Sequence, residues 1–244
     1  MFTSRCSDAT VNEWAQRVPA GFIFSVKIPQ IITHDKILVD CDDEFELFVD
    51  TMDILDDKLG PMIFQFPYFN RSVFRTADEF LARLKAFLPK LPADYKFAIE
   101  IRNKSWLTEE FADLLHKHKV ALVLVDRPRM PRPEEWLRGF NPITADWTYI
   151  RWLGDRKGIE EITKTFNKVV VDRKEDIRSW VDVCYQIKKR GVLIYAYANN
   201  HYAGHGPATI EQFRDLWYSS GLPELERGRR MRLQTSLFDD PPTR

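Results

Sequence analysis

The chain alternates short apolar runs with longer amphipathic stretches, and this alternation constrains the fold more than any other feature. The apolar runs span about five to eight residues and are rich in β-branched and aromatic side chains, which predicts strands. They are Phe22–Ile28, Met62–Phe66, Phe97–Ile101, Ala121–Asp126, Thr148–Trp152 and Val192–Asn199. Strands that alternate with helices are joined by crossovers and lie parallel, so the sequence predicts an α/β fold of the (β/α) barrel type.

The stretches between the runs have apolar residues at helical spacing. The predicted helices are Ala9–Arg17, Asp43–Leu59, the stretch from Thr76 to Pro89, the turns after Thr108, Asp176–Arg190 and Ile210–Tyr218. The 244 residues match the roughly 250 of a single barrel. One barrel domain is therefore predicted over residues 1–225. Residues 226–244, where arginines precede Asp-Asp-Pro-Pro, are predicted to form a mobile C-terminal tail.

Composition excludes several classes of protein. Lys plus Arg equals Asp plus Glu, at 36 each, so no net charge attracts the whole chain to nucleic acid or to anionic membrane. A local patch that binds nucleic acid is left open. Cys6, Cys41 and Cys184 are far apart and form no Cys-x-x-Cys pair, which favours reduced thiols in a cytoplasmic protein. We find no signal peptide and no apolar run of about 18 residues, so no membrane partner is predicted.

Polar side chains recur at the C-terminal ends of the predicted strands. Because side chains alternate between two faces, each strand has one apolar face for the helices and a second face that ends in a polar residue. The polar ends predicted to share the barrel lumen are Lys27, Gln65, Glu100, Arg102, Asp126, Arg151 and Asn199. Barrel enzymes place their sites at this end of the sheet. The alternative is an ion-pair network that only fills the barrel mouth.

Four segments in the same order resemble the YecE-like proteins, the family named domain of unknown function 72. They are Phe24–Pro29, Gly60–Pro67, Ala98–Arg102 and Tyr195–His205, within a similarity that covers about residues 8–220. The resemblance implies a TIM-type barrel and no established activity. Family members begin with a Gly-Thr-Ser-Gly-Trp strand and a second strand with an acidic residue, and neither has a counterpart here. The resemblance thus implies an incomplete barrel of about six parallel strands that lacks its first one or two units.

The inward charged residues are candidates for catalysis. Glu100 is a candidate general acid or base, and its other role is to pair with Lys27 or Arg151. Asp126 is a candidate second acid, metal ligand or loop cap. Lys27 is a candidate Schiff-base lysine or a contact for an anion. Arg102 and Arg151 form a candidate clamp for phosphate or carboxylate. This set predicts carboxylate acid–base chemistry, as in a hydrolase or a lyase or isomerase.

Amide and imidazole side chains follow the last strand. Loops after the last strands of such barrels often bind phosphate, so Asn199, Asn200, His201 and His205 are candidate ligand-binding residues together with Gln65. Two other interpretations remain open, zinc ligation by the two histidines and a loop held by hydrogen bonds from asparagine to the backbone. Nearby glycines and Pro207 disfavour the helix that would align the histidines, so no metal site is predicted, and the sequence indicates no cofactor.

The tail contains the segment Gln-Thr-Ser-Leu-Phe. Gln234, Leu237 and Phe238 resemble the short peptide by which bacterial proteins bind the DNA polymerase sliding clamp. Three hypotheses follow from the sequence. The first is an enzyme for a small anionic substrate, such as a sugar phosphate or nucleotide. The second is a nucleic-acid-maintenance protein that the tail recruits to the clamp, and the third is a binding module without catalysis.

Overall fold

The computed structural model describes residues 7–222, and its framework is a sheet of six parallel strands. The strands follow one another in sequence order across the sheet. They are β1 (Phe24–Lys27), β2 (Leu59–Gln65), β3 (Phe97–Glu100), β4 (Ala121–Asp126), β5 (Trp147–Trp152) and β6 (Leu193–Ala198). The sheet curls into a half-barrel, which confirms the predicted fold class. Within residues 7–222, no strand pairs with the outer edge of β1 or β6.

Helices lie between the strands, as the alternating pattern predicts. They are α1 (Asp8–Arg17), α2 (Asp42–Asp53), α3 (Ala77–Phe87), α4 (Glu109–Lys117), α5 (Arg156–Ile162), α6 (Lys174–Lys189), α7 (Asn200–Ala203) and α8 (Gly206–Ser219). A short π-helix spans Ile31–Asp35 after β1. The predicted tail at residues 226–244 lies outside the described residues. No helix among residues 7–222 has the length and apolar character to cross a membrane.

α4 illustrates how the sequence specifies these helices. Thr108 is the N-cap, and its side-chain oxygen accepts a hydrogen bond from the backbone N–H of Phe111 at 3.2 Å. This satisfies one of the donors that every helix leaves free in its first turn. Phe111, Leu114 and Leu115 recur at helical spacing and bury the face that packs toward the sheet.

The sheet separates two apolar cores. The larger core lies between the sheet and the helices and contains Phe64, Ile99 and Leu124. The smaller core fills the lumen and contains Ile63, Ala98 and other residues of alternating parity. Because parallel strands are covered on both faces, both cores are needed to bury them. The lumen-facing residues at the C-terminal ends of the strands lie at one open end of the half-barrel.

Candidate functional site

Glu100 is the centre of a polar cluster at the C-terminal ends of the strands. It ends β3 on the lumen side, and its side chain has no exposed surface. Arg102 Nε donates to Oε1 at 3.4 Å, and Arg151 Nη1 donates to Oε2. The two arginine side chains are themselves only 28% and 23% exposed. A buried carboxylate requires such partners, since an unpaired charge in an apolar interior is costly.

Two neighbouring strands add further predicted residues to this cluster. Gln65 lies opposite Glu100 in the β2–β3 register and donates its amide to the Phe66 carbonyl at 3.3 Å. Lys27 ends β1 at the rim of the lumen. Partial desolvation of its ammonium, followed by the guanidinium groups of Arg102 and Arg151, lowers the pKa of Lys27, and Glu100 opposes this. The structure therefore brings five of the predicted site residues together.

Arg127 is a member of the cluster that the sequence reasoning missed. It follows β4 directly and is partly buried. Burial lowers the pKa of Arg127, and repulsion from Arg102 lowers it further, while Glu100 and Asp155 act in the opposite direction. A guanidinium group stays protonated under these conditions, so Arg127 adds a fourth positive charge near Glu100.

The cluster has more positive charge than its carboxylate can balance. Lys27 is repelled by Arg102 and Arg151, and Arg127 by Arg102, around the single buried Glu100 carboxylate, while the exposed Asp155 offsets part of the charge of Arg127. Like charges held in a partly desolvated site raise its free energy, and an anion bound among them lowers it. The electrostatics of this end of the half-barrel therefore favour an anionic ligand.

His34 adds an imidazole at the same rim. It belongs to the π-helix after β1, and its Nδ1 hydrogen-bonds the Thr33 hydroxyl at 2.8 Å. Burial, then the positive charges of Lys27 and Arg102, lower the pKa of His34. The imidazole is therefore neutral over more of the physiological range than an exposed histidine, and its second nitrogen is available to accept or donate a hydrogen bond.

A cavity of about 200 Å³ opens into the lumen beside the cluster. Its lining includes Ser25, Lys27, Ile63, Tyr149, Arg151 and Tyr197. The Ser25 and Tyr149 hydroxyls hydrogen-bond each other across the half-barrel at 2.7 Å. The rings of Tyr149 and Tyr197 stack at 4.9 Å between centroids. The alternation of side chains predicts that these three polar residues face the lumen, but nothing in the sequence distinguishes their hydroxyl groups as part of a site.

Asp126 does not lie in the lumen, and its predicted place in the shared cavity is wrong. Val123 and Val125 belong to the lumen core, whereas Leu124 and Asp126 face the helices. Asp126 Oδ2 accepts a hydrogen bond from Trp180 Nε1 at 2.7 Å and from the Tyr202 hydroxyl at 2.8 Å. Burial raises the pKa of Asp126, although these two donors oppose the shift. The residue joins β4 to α6 and α7.

The reason for this error is the composition of β4. Both of its faces are apolar apart from its last residue, so the sequence pattern assigns the face of Asp126 to the lumen only because that residue is polar. The hydrogen-bond donors that satisfy Asp126 come instead from the helix layer. Reversing the faces of β4 places Arg127, the next residue, on the lumen side.

The loop after β6 is held together by its own polar side chains. The Asn199 side-chain oxygen accepts from the backbone N–H of His201 at 2.9 Å, and that of Asn200 accepts from Gly206 at 2.8 Å. His201 Nε2 contacts Glu160 Oε1 at 3.1 Å, and His205 is the N-cap of α8. These bonds match the interpretation of a loop held by asparagine–backbone bonds.

The binding roles predicted for the loop and the tail stay predictions. Among the hydrogen bonds and ion pairs described for residues 7–222, none joins Asn199, Asn200, His201 or His205 to Glu100 or its arginines. In the same part of the chain, no group of three or more His, Cys, Asp or Glu side chains is placed to hold a metal ion. The clamp-binding segment at Gln234, Leu237 and Phe238 lies outside the described residues.

Comparison with known proteins finds a family whose profile covers most of the chain. The profile of a family described as "Protein of unknown function DUF72" matches residues 2–229. The "UPF0759 protein YecE" of Escherichia coli K12 is 29% identical over 121 residues, which are 48% of this chain and 42% of that protein. The match thus spans less than half the length of this curated relative.

Solved structures share the fold. A DUF72 family protein from Thermotoga maritima superposes with a TM-score of 0.65 at 24% identity, over 89% of this chain and 82% of that chain. A DUF72 family protein from Enterococcus faecalis superposes with a TM-score of 0.63 at 18% identity, over 87% and 85%. At these identities the likeness extends to the fold.

Proposed function

Since this chain belongs to the DUF72 family, which is described only as of unknown function, we propose a function from the chemistry of its own site. The protein binds a small molecule with a phosphate or carboxylate group at the C-terminal ends of its strands. Lys27, Arg102, Arg127 and Arg151 hold the anion, and Glu100 lies beneath it. The excess of these four cations over the one buried carboxylate is the observation on which the proposal depends.

The energetic argument is that repulsion among these cations raises the free energy of the site unless an anion binds among them. At an effective dielectric constant of about 20, two unit charges 4 Å apart interact by about 4 kcal/mol, so even more distant pairs contribute. Glu100 cannot offset all of this, because its two carboxylate oxygens already accept from Arg102 and Arg151. Lys27 and Arg127 therefore supply positive charge that a bound anion neutralises. Planar guanidinium groups also match the paired oxygens of phosphate and carboxylate.

We further propose that the bound molecule is a substrate and that Glu100 transfers a proton. The anion competes with Glu100 for Arg102 and Arg151, which frees a carboxylate oxygen to act as a general base or acid toward the ligand. Lys27 lies at the rim and is partly exposed, and its lowered pKa favours an uncharged amine more than a fully solvated lysine does. It contacts the anion, or serves as the nucleophile toward a carbonyl in a lyase or isomerase.

The experiment that tests the binding proposal is calorimetric titration of the full chain with inorganic phosphate and with acetate. The double variant Lys27→Gln and Arg127→Gln removes two cations without taking a hydrogen-bond partner from Glu100. A hydrogen bond to a charged group contributes about 1.5–3 kcal/mol, so affinity should fall at least tenfold. The control is Arg178→Gln, which changes an exposed ion pair on α6.

Two results would decide the case. If the double variant binds both anions as tightly as the control, the cations do not form the site and the proposal fails. If it loses affinity, raised salt should also weaken binding by the unsubstituted protein, since partly exposed charges are screened. For the catalytic part, turnover of an identified substrate should fall about 10²–10⁴-fold in Glu100→Gln. Unchanged turnover would leave a binding protein without this catalytic residue.

A further inference from the structure

The cavity beside the cation cluster has a wall of hydroxyl groups that anion binding alone does not explain. Ser25 on β1 and Tyr149 on β5 meet through their hydroxyls at 2.7 Å, and the Tyr197 ring of β6 stacks on that of Tyr149 at 4.9 Å between centroids. The Ser25 hydroxyl also donates to the Pro61 carbonyl at 3.1 Å. The same cavity is lined by Lys27 and Arg151, so the hydroxyl wall and the cations face one space.

Counting hydrogens shows what this wall offers to a ligand. Each hydroxyl has one hydrogen and two lone pairs, and the Pro61 carbonyl can only accept. The Ser25 hydrogen goes to Pro61, so the Tyr149 hydrogen points to Ser25. Two of the three hydrogens are thus spent inside the cluster, whereas lone pairs on the two phenol oxygens remain. The wall therefore accepts hydrogen bonds, while the cations at the rim donate them.

The phenols keep this character in the presence of an anion. Burial raises the pKa of Tyr149 above its usual range and raises that of Tyr197 to about 12. Both hydroxyls are therefore neutral at physiological pH and do not repel a negative group held by Lys27 and Arg151. Apolar atoms satisfy none of the phenol lone pairs, so a ligand that donates to them makes hydrogen bonds that an apolar ligand cannot make.

The size of the cavity limits the ligand. About 200 Å³ corresponds to roughly seven water molecules at about 30 Å³ each. Pockets for drug-sized ligands have about 300–1,000 Å³, so a nucleotide with its base exceeds this space. A chain of a few carbons with an acidic group fits it.

We propose that the ligand is a small hydroxylated anion whose acidic group lies on Lys27 and Arg151 and whose hydroxyls donate to Tyr149 and Tyr197. The proposal rests on the proposed function, since the same cations hold the acidic group. It extends that function by naming a polyhydroxy body of a few carbons. A phosphate ester and a hydroxy acid share this chemistry, and matched probes separate them.

The test compares pairs of probes that differ only in hydroxyl groups. Glycerol 3-phosphate is titrated against n-propyl phosphate, and glycerate is titrated against propionate. In the unsubstituted chain, the hydroxylated member of at least one pair should bind about tenfold more tightly, as two added neutral hydrogen bonds would give. The pair that shows the larger preference identifies the acidic group as phosphate or carboxylate.

Variants then locate the preference. Tyr149→Phe and Tyr197→Phe keep the stacked rings but remove one acceptor each, so each should reduce the preference for the hydroxylated probe about threefold or more. Affinity for n-propyl phosphate or propionate should fall less than affinity for the hydroxylated partner. Tyr195→Phe is the matched control, because Tyr195 shares strand and face with Tyr197 but packs on Trp147 deeper in the lumen. Two separate variants ensure that poor folding of one does not end the test.

The outcomes distinguish the two proposals. Equal affinity for both members of each pair, or an equal loss of preference in Tyr195→Phe, would overturn the hydroxyl-binding inference while leaving the anion site intact. Absence of saturable binding for all four probes would reject the proposed function and this inference with it. A preference that falls in Tyr149→Phe or Tyr197→Phe and persists in Tyr195→Phe supports the inference.

Discussion

Within residues 7–222, Glu100 is the only carboxylate placed directly against Arg102 and Arg151, and replacing it with glutamine removes that charge. The shape of the side chain is kept, so the change isolates the charge. Glu100 has no exposed surface, and the two arginines retain 28% and 23%. Two partly desolvated guanidinium groups would then lack their counter-ion, with Lys27 and Arg127 still close by. We expect the free energy of unfolding to fall.

The size of this loss follows from the burial of the pair. Breaking a fully buried ion pair by removing one partner costs about 3–5 kcal/mol. Because water reaches both arginines, we take the lower end, about 3 kcal/mol. For a domain of this size, each kcal/mol lowers the melting temperature by about 2–4 °C, so Glu100→Gln should melt about 6–12 °C lower. The control Glu110→Gln affects an exposed pair with Lys85 and should cost about 0–1 kcal/mol.

The assay is urea unfolding of both variants with and without inorganic phosphate. Phosphate should stabilise Glu100→Gln more than it stabilises the unsubstituted protein, since the uncompensated cations gain most from an anion. A ligand present at about a hundredfold its dissociation constant adds about 2.7 kcal/mol, enough to restore most of the loss. The reasoning is refuted if Glu100→Gln is as stable as Glu110→Gln, or if phosphate stabilises the two variants equally.

Three further predictions address the rest of the chain. Burial raises the pKa of Asp126, so the folded chain keeps that proton at pH values where the unfolded chain has lost it. The contribution of Asp126 to the free energy of unfolding is therefore highest below the ordinary carboxyl pKa. It falls as the pH rises through the raised pKa of the folded chain. Asp126→Asn should flatten this part of the pH profile of urea unfolding, and an unchanged profile would contradict the assignment. Gly204 has φ +108° and an added Cβ would lie 2.6 Å from a backbone oxygen, whereas Gly139 has φ +88° with open space. Gly204→Ala should therefore cost about 1–3 kcal/mol more than Gly139→Ala in the same assay, and equal costs would show that the contact yields. If the tail binds the sliding clamp, alanine at Leu237 and Phe238 should abolish retention of the chain on immobilised clamp, and equal retention would reject that partner.

The fold was predictable because its signals are local. Apolar runs such as Phe97–Ile101 and helices such as the one after Thr108 can be recognised from residues within a few positions of one another. Pairing of the strands in sequence order also follows from the alternation of strands and helices, because each helix brings the chain back beside the strand that it has just left. The half-barrel with β1 to β6 in order confirms this reasoning.

The site was predictable where a strand has one apolar face. On β3 and β5, apolar residues on the helix side fix the faces, so Glu100 and Arg151 were placed correctly in the lumen. On β4 the pattern is apolar on both faces, and only Trp180 and Tyr202 reveal where Asp126 points. These donors come from elements more than fifty residues away, so the residues next to β4 in sequence do not show which face Asp126 lies on.

The orientation of β4 favours one of the two interpretations that the sequence left open, the anion-binding site over the balanced ion-pair network. With Asp126 inward, Lys27, Arg102 and Arg151 would face two carboxylates, close to a balanced ion-pair network that needs no ligand. With the faces as observed, Asp126 leaves the lumen and Arg127 enters it, so four cations face one buried carboxylate, with the exposed Asp155 beside Arg127. Reversing the faces of one strand thus replaces an anion by a cation and raises the excess of cations over buried carboxylates from about one to about three. An excess of that size in a partly desolvated site is difficult to explain by packing alone, because every added like charge raises the free energy of the folded chain unless an anion binds there.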